Sequence, residues 1–247
     1  MAVGAKEDVL AEDLPGLQSP LVYMDVRTSR KSRERGRLNG PLDPPSQGIL
    51  GDCWLLAVAI GLQTRSPGLL TRMIRFEGTN ARVSFPRAKS VIVSCRLPMH
   101  LISGKWSYVG VRQSKPSDLC WALLEKAVCI HLAQTQPDKI RTKRGVPLGI
   151  PIIPHYSDLR GGTITFALQL LCPICPPPPQ HLSSPTDRII CQLRNRGLFF
   201  LEVEEFGTLH SVLLTAVAGD FFIVFDPSGF RMRYPRDKCK VFYTNSP

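Results

Sequence analysis

The stretch Gln47-Gly-Ile-Leu-Gly-Asp-Cys53-Trp-Leu-Leu-Ala holds the residues most able to do chemistry. It puts a cysteine at the mouth of an apolar segment that reads as a helix. The unpaired amides and the dipole of a helix start favour a thiolate there, which is how a nucleophilic cysteine is activated. Gln47, six residues earlier, precedes a glycine turn that can fold its side-chain amide back toward the sulfur. With the Cys53 backbone amide it would make the two donors of an oxyanion hole. A lone cysteine is by default a small buried hydrophobe. Here Gln, a Gly-rich turn, Cys-Trp and an apolar helix in that order favour the nucleophile.

A cysteine nucleophile needs a base that can later protonate a leaving group. The histidines are His100, His131, His155, His181 and His210. His210 is the best placed, since it begins the apolar strand Ser211–Val217, and sixteen residues later Asp226 closes the next strand. A hairpin would bring the two together, with Asp226 orienting the imidazole and stabilising its cation. Asp226 also suits the first position of an Asp-Pro-Ser-Gly turn, and the two roles are compatible.

These groups need two kinds of support. Cys53 to Gln63 is apolar on every side, as in a helix buried all round. Lys89–Cys95 and Trp106–Val111 read as strands joined by a loop holding Pro98 and Gly104. Ser117 opens a second helix, with Leu119, Leu123, Ala127 and Ile130 in helical spacing and helix formers around Glu125 and Lys126. Cys172-Pro-Ile-Cys-Pro-Pro-Pro-Pro-Gln fits neither helix nor sheet and marks a boundary. Beyond it Leu198–Val203, Ser211–Val217 and Phe221–Phe225 alternate with turns, so the second half is β-rich. The expected organisation is a basic arm over 1–40, then one domain over 41–247. That domain divides into a cysteine-bearing lobe (41–171), a proline-rich linker (172–188) and a histidine-bearing lobe (189–247).

A chain of 247 residues with 43% hydrophobic and 21% charged residues can build one core or two small ones, which excludes wholesale disorder. The formal charge of +11 is concentrated in Arg27–Arg37 and Lys139–Arg144. Solvated loops are the commoner reading of such runs, and no aromatics interleave them as a nucleic-acid surface would require. No apolar run is long enough to span a membrane, and the start lacks a signal-peptide pattern, so a cytoplasmic protein is expected. Its eight cysteines are then expected as reduced thiols without structural disulfides. Cys172-x-x-Cys175 has zinc-like spacing but no second pair beyond Cys191 and His181, so no metal site is assigned.

The segment Gln47–Ala57 resembles the cysteine motif of the calpain family. Further segments follow in the family's order: Val91-Ile-Val-Ser-Cys-Arg-Leu-Pro98, Trp121-Ala-Leu-Leu-Glu-Lys-Ala127, and Tyr156-Ser-Asp-Leu-Arg-Gly-Gly162. Gly207-Thr-Leu-His210-Ser-Val is similar to the family's Gly-His-x-Tyr-Ser-Val. Asp226-Pro-Ser-Gly229 stands where calpains carry Asn-Pro-Trp-Gly. The resemblance covers roughly residues 41 to 230 and thins after 127. It implies an α+β fold, papain-like and two-lobed, with a helical cysteine lobe and a β-rich histidine lobe. It implies a cysteine endopeptidase that cuts protein substrates through a Cys53 thioester, with His210 as general base and acid, and Asp226 and Gln47 in support. No cofactor is required. Calcium is the ion the family would bring, although the nearest acidic residues, Asp43 and Asp158, are each one position out of register. Asp226 in place of asparagine should raise the His210 pKa. Ser228 in place of tryptophan should weaken catalysis by removing a flat cover. Two other readings stay open: a calpain-like binding scaffold that has lost catalysis, and a Cys-His-Asp acyl transferase.

Overall fold

The computed structural model describes residues 9, 22–25, 44–102, 105–108, 110, 119–173, 197–205 and 207–245. Most of the expected arm and linker lies outside them, as do Asp43, Ser117, Cys175, His181 and Cys191. The chain is α+β, with helices and two small sheets in the first half and one larger sheet in the second.

Helix α1 (Cys53–Arg65) is buried continuously from Trp54 to Gln63. It is followed by the short helix α2 (Leu69–Met73). An antiparallel sheet then forms from β2 (Ile74–Glu77), β3 (Asn80–Val83) and β4 (Val91–Ser94). Strand β5 (Arg96–Ile102) is the middle of a second sheet, between β1 (Val22–Asp25) and β6 (Lys105–Tyr108). This differs from the sequence expectation in two ways. The stretch read as a loop around Pro98 is a strand, and the stretch read as an arm contributes β1 and the fully buried Val9. Proline is tolerated in β5 because the described β5–β6 pairing begins at Met99, so Pro98 is laddered only to Tyr23.

Helix α3 (Leu119–Thr135) is buried through Ala133 and packs on β3, β4 and the 3₁₀ turn Tyr156–Leu159. Helix α4 (Pro137–Arg144) carries one of the basic runs and buries only Ile140. Helix α5 (Ile164–Leu171), capped by the Thr163 hydroxyl accepting from the Phe166 N–H, lies against α1.

The second half is a five-stranded antiparallel sheet in the order β10 (Arg231–Pro235), β9 (Phe221–Phe225), β8 (Thr208–Ala218), β7 (Leu198–Glu205), β11 (Cys239–Asn245). Its side chains alternate as a pleated sheet requires. Leu198, Phe200 and Leu213 join the core of the first half, while Phe199, Leu201, Val203, Val212, Leu214, Phe222 and Val224 enclose a second, smaller core. Helix α1 lies directly on β7 and β8. The approach is closest at Gly61, where a methyl group would sit 3.0 Å from Phe200 Cε1 and 3.1 Å from Leu213 Cδ1.

Candidate active site

Cys53 is the first residue of α1, and its helix start is held by a neighbour in space rather than by the residue beside it. Asp52 occupies the N-cap position yet makes no side-chain cap bond. Its backbone oxygen accepts from the Leu55 and Leu56 amides at 2.9 and 3.1 Å. Gln47 takes over the capping task. With its side-chain oxygen turned to the helix, it accepts from the Asp52 and Cys53 N–H groups, each at 3.1 Å. The segment around Gln47 is itself tied to the second half. Its backbone N–H donates to Pro227 O at 2.8 Å, and the Ser46 hydroxyl donates to Ser228 O at 2.8 Å.

The second half supplies His210 and Asp226. Leu213 pairs with Phe225 across β8 and β9. Continued by one residue, that register sets Asp226 opposite Val212, two positions along from His210 and therefore on the same face. The side chains meet, with His210 Nε2 at 2.7 Å from Asp226 Oδ2. Asp226 performs its turn role as well, since Oδ1 accepts from the Ser228 N–H at 2.7 Å and its carbonyl from the Gly229 N–H at 2.9 Å. Burial alone would lower the His210 pKa. Its hydrogen bonds to Asp226 and Cys53, and the charges of both, overcome this and raise it to about 10. For Asp226, burial works to raise the pKa. The bonds from His210 and Ser228 prevail and hold it below the usual carboxylate range. The pair is therefore imidazolium and carboxylate at neutral pH, with side-chain exposures of 17% and 4%. The helix comes to it through the Ser211 N–H, which donates to Cys53 Sγ at 3.5 Å.

Beside Cys53, Trp54 is clamped to the loop 159–162. Its Nε1 donates to Leu159 O at 2.7 Å. Gly162 has to be glycine, because a Cβ would fall inside the Trp54 ring. Arg160, in the same loop, lays its stem beside Gly51, with Cγ 3.5 Å from where a Cβ would stand. The loop is set by the His155 side chain accepting from the Ser157 N–H at 3.0 Å and by Asp158 Oδ2 accepting from the His155 N–H at 3.1 Å. Asp158 Oδ2 also receives Arg144 Nη2 at 2.8 Å. Burial nevertheless raises the Asp158 pKa, against the opposing Arg144 charge.

Behind Cys53 is a feature the sequence reading missed. Asp52 and Glu125 are both fully buried, and among the described residues neither Asp52 carboxyl oxygen receives a hydrogen bond. Two buried carboxyl groups brought together can bond only if one carries a proton. Burial raises the Asp52 pKa, with Glu125 and then its own backbone and Gln47 acting against it. The adjacent Lys126, also fully buried, turns away. Its Nζ donates to Ser94 O (3.1 Å), Ser94 Oγ (2.7 Å) and Arg96 O (2.6 Å). A Glu-Lys pair inside an otherwise apolar helix was the available signal, because buried charges must have partners.

Four residues expected at the site, Cys53, His210, Asp226 and Gln47, are brought to one place by these contacts. His131 lies elsewhere, ringed by Phe85 and Phe166. Among the described residues no three His, Cys, Asp or Glu converge on a metal position, and Asp158 Oδ2 is taken by Arg144 and a backbone amide. The described cysteines are free thiols, with Cys95, Cys120, Cys129 and Cys172 buried. Among the described residues no helix is long and apolar enough to cross a membrane. No protein-family model matches the chain, and no curated protein matches it.

Proposed function

We propose that this chain is a papain-like cysteine endopeptidase of calpain type, cutting peptide bonds between a cysteine lobe and a histidine lobe. The observation that carries the reading is the His210–Asp226 contact at 2.7 Å, set against a cysteine sulfur that opens a buried helix and accepts from the Ser211 N–H.

With the proton already on His210, the Cys53 sulfur attacks the peptide carbonyl carbon. A C–S bond forms as the carbonyl π pair moves to oxygen. That oxyanion replaces the Gln47 oxygen as acceptor of the Cys53 N–H, and the Gln47 amide NH₂ is the second donor. His210 then protonates the amine nitrogen as the C–N bond breaks, leaving a thioester. Water adds to the thioester with its proton passing to His210, and cleavage of the C–S bond restores the cysteine. Asp226 holds the imidazole in orientation and supports its cation. Ser228, where the family's tryptophan is absent, contributes its carbonyl to the Ser46 hydroxyl and its N–H to Asp226.

The test is labelling by an epoxide peptide inhibitor, with and without calcium, beside Cys53→Ala and His210→Ala. Labelling that requires both residues and is indifferent to calcium is expected. Absence of labelling in every condition would sink the reading and favour the binding scaffold.

A further inference from the structure

The basic run of α4 is not a solvated surface remote from the site. Lys139, Lys143 and Arg160 line one cavity of about 90 Å³ together with Trp54, Ile140, Phe166 and others. Trp54 is the residue after Cys53, and Arg160 lies along Gly51, two residues before it. The cavity is thus attached to the cysteine on both sides in sequence.

Cations outnumber carboxylates there. Lys143 sits against Lys139, Arg160 and Arg144 as like charges, with the Asp158 carboxyl opposing them. Its Nζ donates to three carbonyls, Ser157 O (3.1 Å), Asp158 O (3.4 Å) and Arg160 O (2.6 Å), which fix the ammonium in place without neutralising it. The carboxylate at the cavity, Asp158, is engaged by Arg144, and Asp138 reaches only Arg141, at 4.0 Å. Lys139, Lys143 and Arg160 are all exposed. Cations gathered over an apolar floor repel one another at a cost that an anionic occupant relieves. The cavity has room for a side chain.

We propose that Lys139, Lys143 and Arg160 form a subsite for acidic side chains, so that the substrates are peptides carrying glutamate or aspartate beside an apolar residue near the cut. This rests on the endopeptidase reading. The apolar residue enters over Trp54 and Phe166, and the carboxylates meet the cationic rim. Selection acts on binding, so the acidic preference belongs to KM and weakens with salt.

The experiment compares a fluorescein-labelled peptide alternating leucine and glutamate with its glutamine counterpart. Cleavage is followed in the wild-type chain, Lys139→Glu, Arg160→Glu and the double variant, with thermal unfolding as the check on folding. The glutamate peptide should be cut with about tenfold higher kcat/KM, through KM. The double variant should abolish or invert that ratio, and raised salt should shrink it. The same peptides are titrated into Cys53→Ala, which reads binding without chemistry. If nothing is cut but Cys53→Ala binds the glutamate peptide about tenfold more tightly and loses this with Arg160→Glu, the subsite stands and the endopeptidase reading falls. Equal treatment of the two peptides in cleavage and binding overturns the proposal, as does preferential binding of a single-stranded oligonucleotide.

Discussion

Two buried aspartates flank Cys53 and His210, Asp52 one residue before the cysteine and Asp226 on the imidazole, and they are driven in opposite directions. Burial disfavours the charge on each. What differs is the partner. Asp226 receives an imidazole and a backbone N–H and its pKa is held down, whereas Asp52 meets a second carboxyl, receives no hydrogen bond among the described residues, and has its pKa raised. The histidine side of the site therefore favours a carboxylate, and the cysteine side disfavours one. A fully ionised Asp52–Glu125 pair would spend the positive end of α1 on two carboxylates. With one proton held, more of that field is left for the sulfur.

The comparison can be broken most severely at Asp226. Asp226→Ala should lower kcat/KM by about 10³ to 10⁴, since the imidazole loses both orientation and counter-charge. Peptide hydrolysis at neutral pH reads this directly. Gln47→Ala, on the other side, should lower kcat by about 10² to 10³ with little change in KM, by removing one oxyanion donor and the helix cap. An equal loss in KM would mean that Gln47 binds substrate instead.

The acid pair is probed through stability. Glu125→Ala should cost roughly 2 to 4 kcal/mol in urea unfolding, because it leaves a cavity and an orphaned buried acid. Glu125→Gln keeps the shape and a donor, and should stay within about 1 kcal/mol of the native chain at pH 7. If the glutamine variant is as damaged as the alanine one, Glu125 is ionised and the pair does not share a proton.

The smallest effect at neutral pH belongs to Asp226→Asn, whose signature is a pH profile. His210 is raised from 6.5 to about 10, so its contribution to stability is complete below pH 6.5 and is lost as pH rises through about 10. Asp226 is depressed, so its share is present above its ordinary value of 3.8 and is lost as pH falls through the folded value. The asparagine variant should bring the alkaline limb of kcat/KM down toward the ordinary histidine range and flatten both ends of the stability curve. An unmoved alkaline limb would show that His210 does not set it.

What could be read from sequence was whatever local pattern controls. The all-apolar run after Cys53 announced a buried helix, and period-two apolar strands put His210 and Asp226 on one hairpin. Glu125 was read as a helix former because its partner is Asp52, a contact set by packing between distant segments. Pro98 was read as a loop residue because proline breaks ladders, and only pairing with β1 shows which side is free. Arg160 carries no local signal, because its place beside Gly51 is set by contact between distant segments.

The stitch between Ser46 and Ser228 spans 182 residues of chain, and the Ser211–Cys53 contact spans 158. Such contacts form late, because a long loop must close before they return any stabilisation. During synthesis at about 10 residues per second, Cys53 leaves the ribosome on the order of 15 seconds before His210. Through that interval the nascent chain carries a cysteine with no base, and its first half is neighbour to every other unfolded chain in reach. On the proposed reading, a site whose two reacting groups lie on opposite halves is silent until the chain is whole.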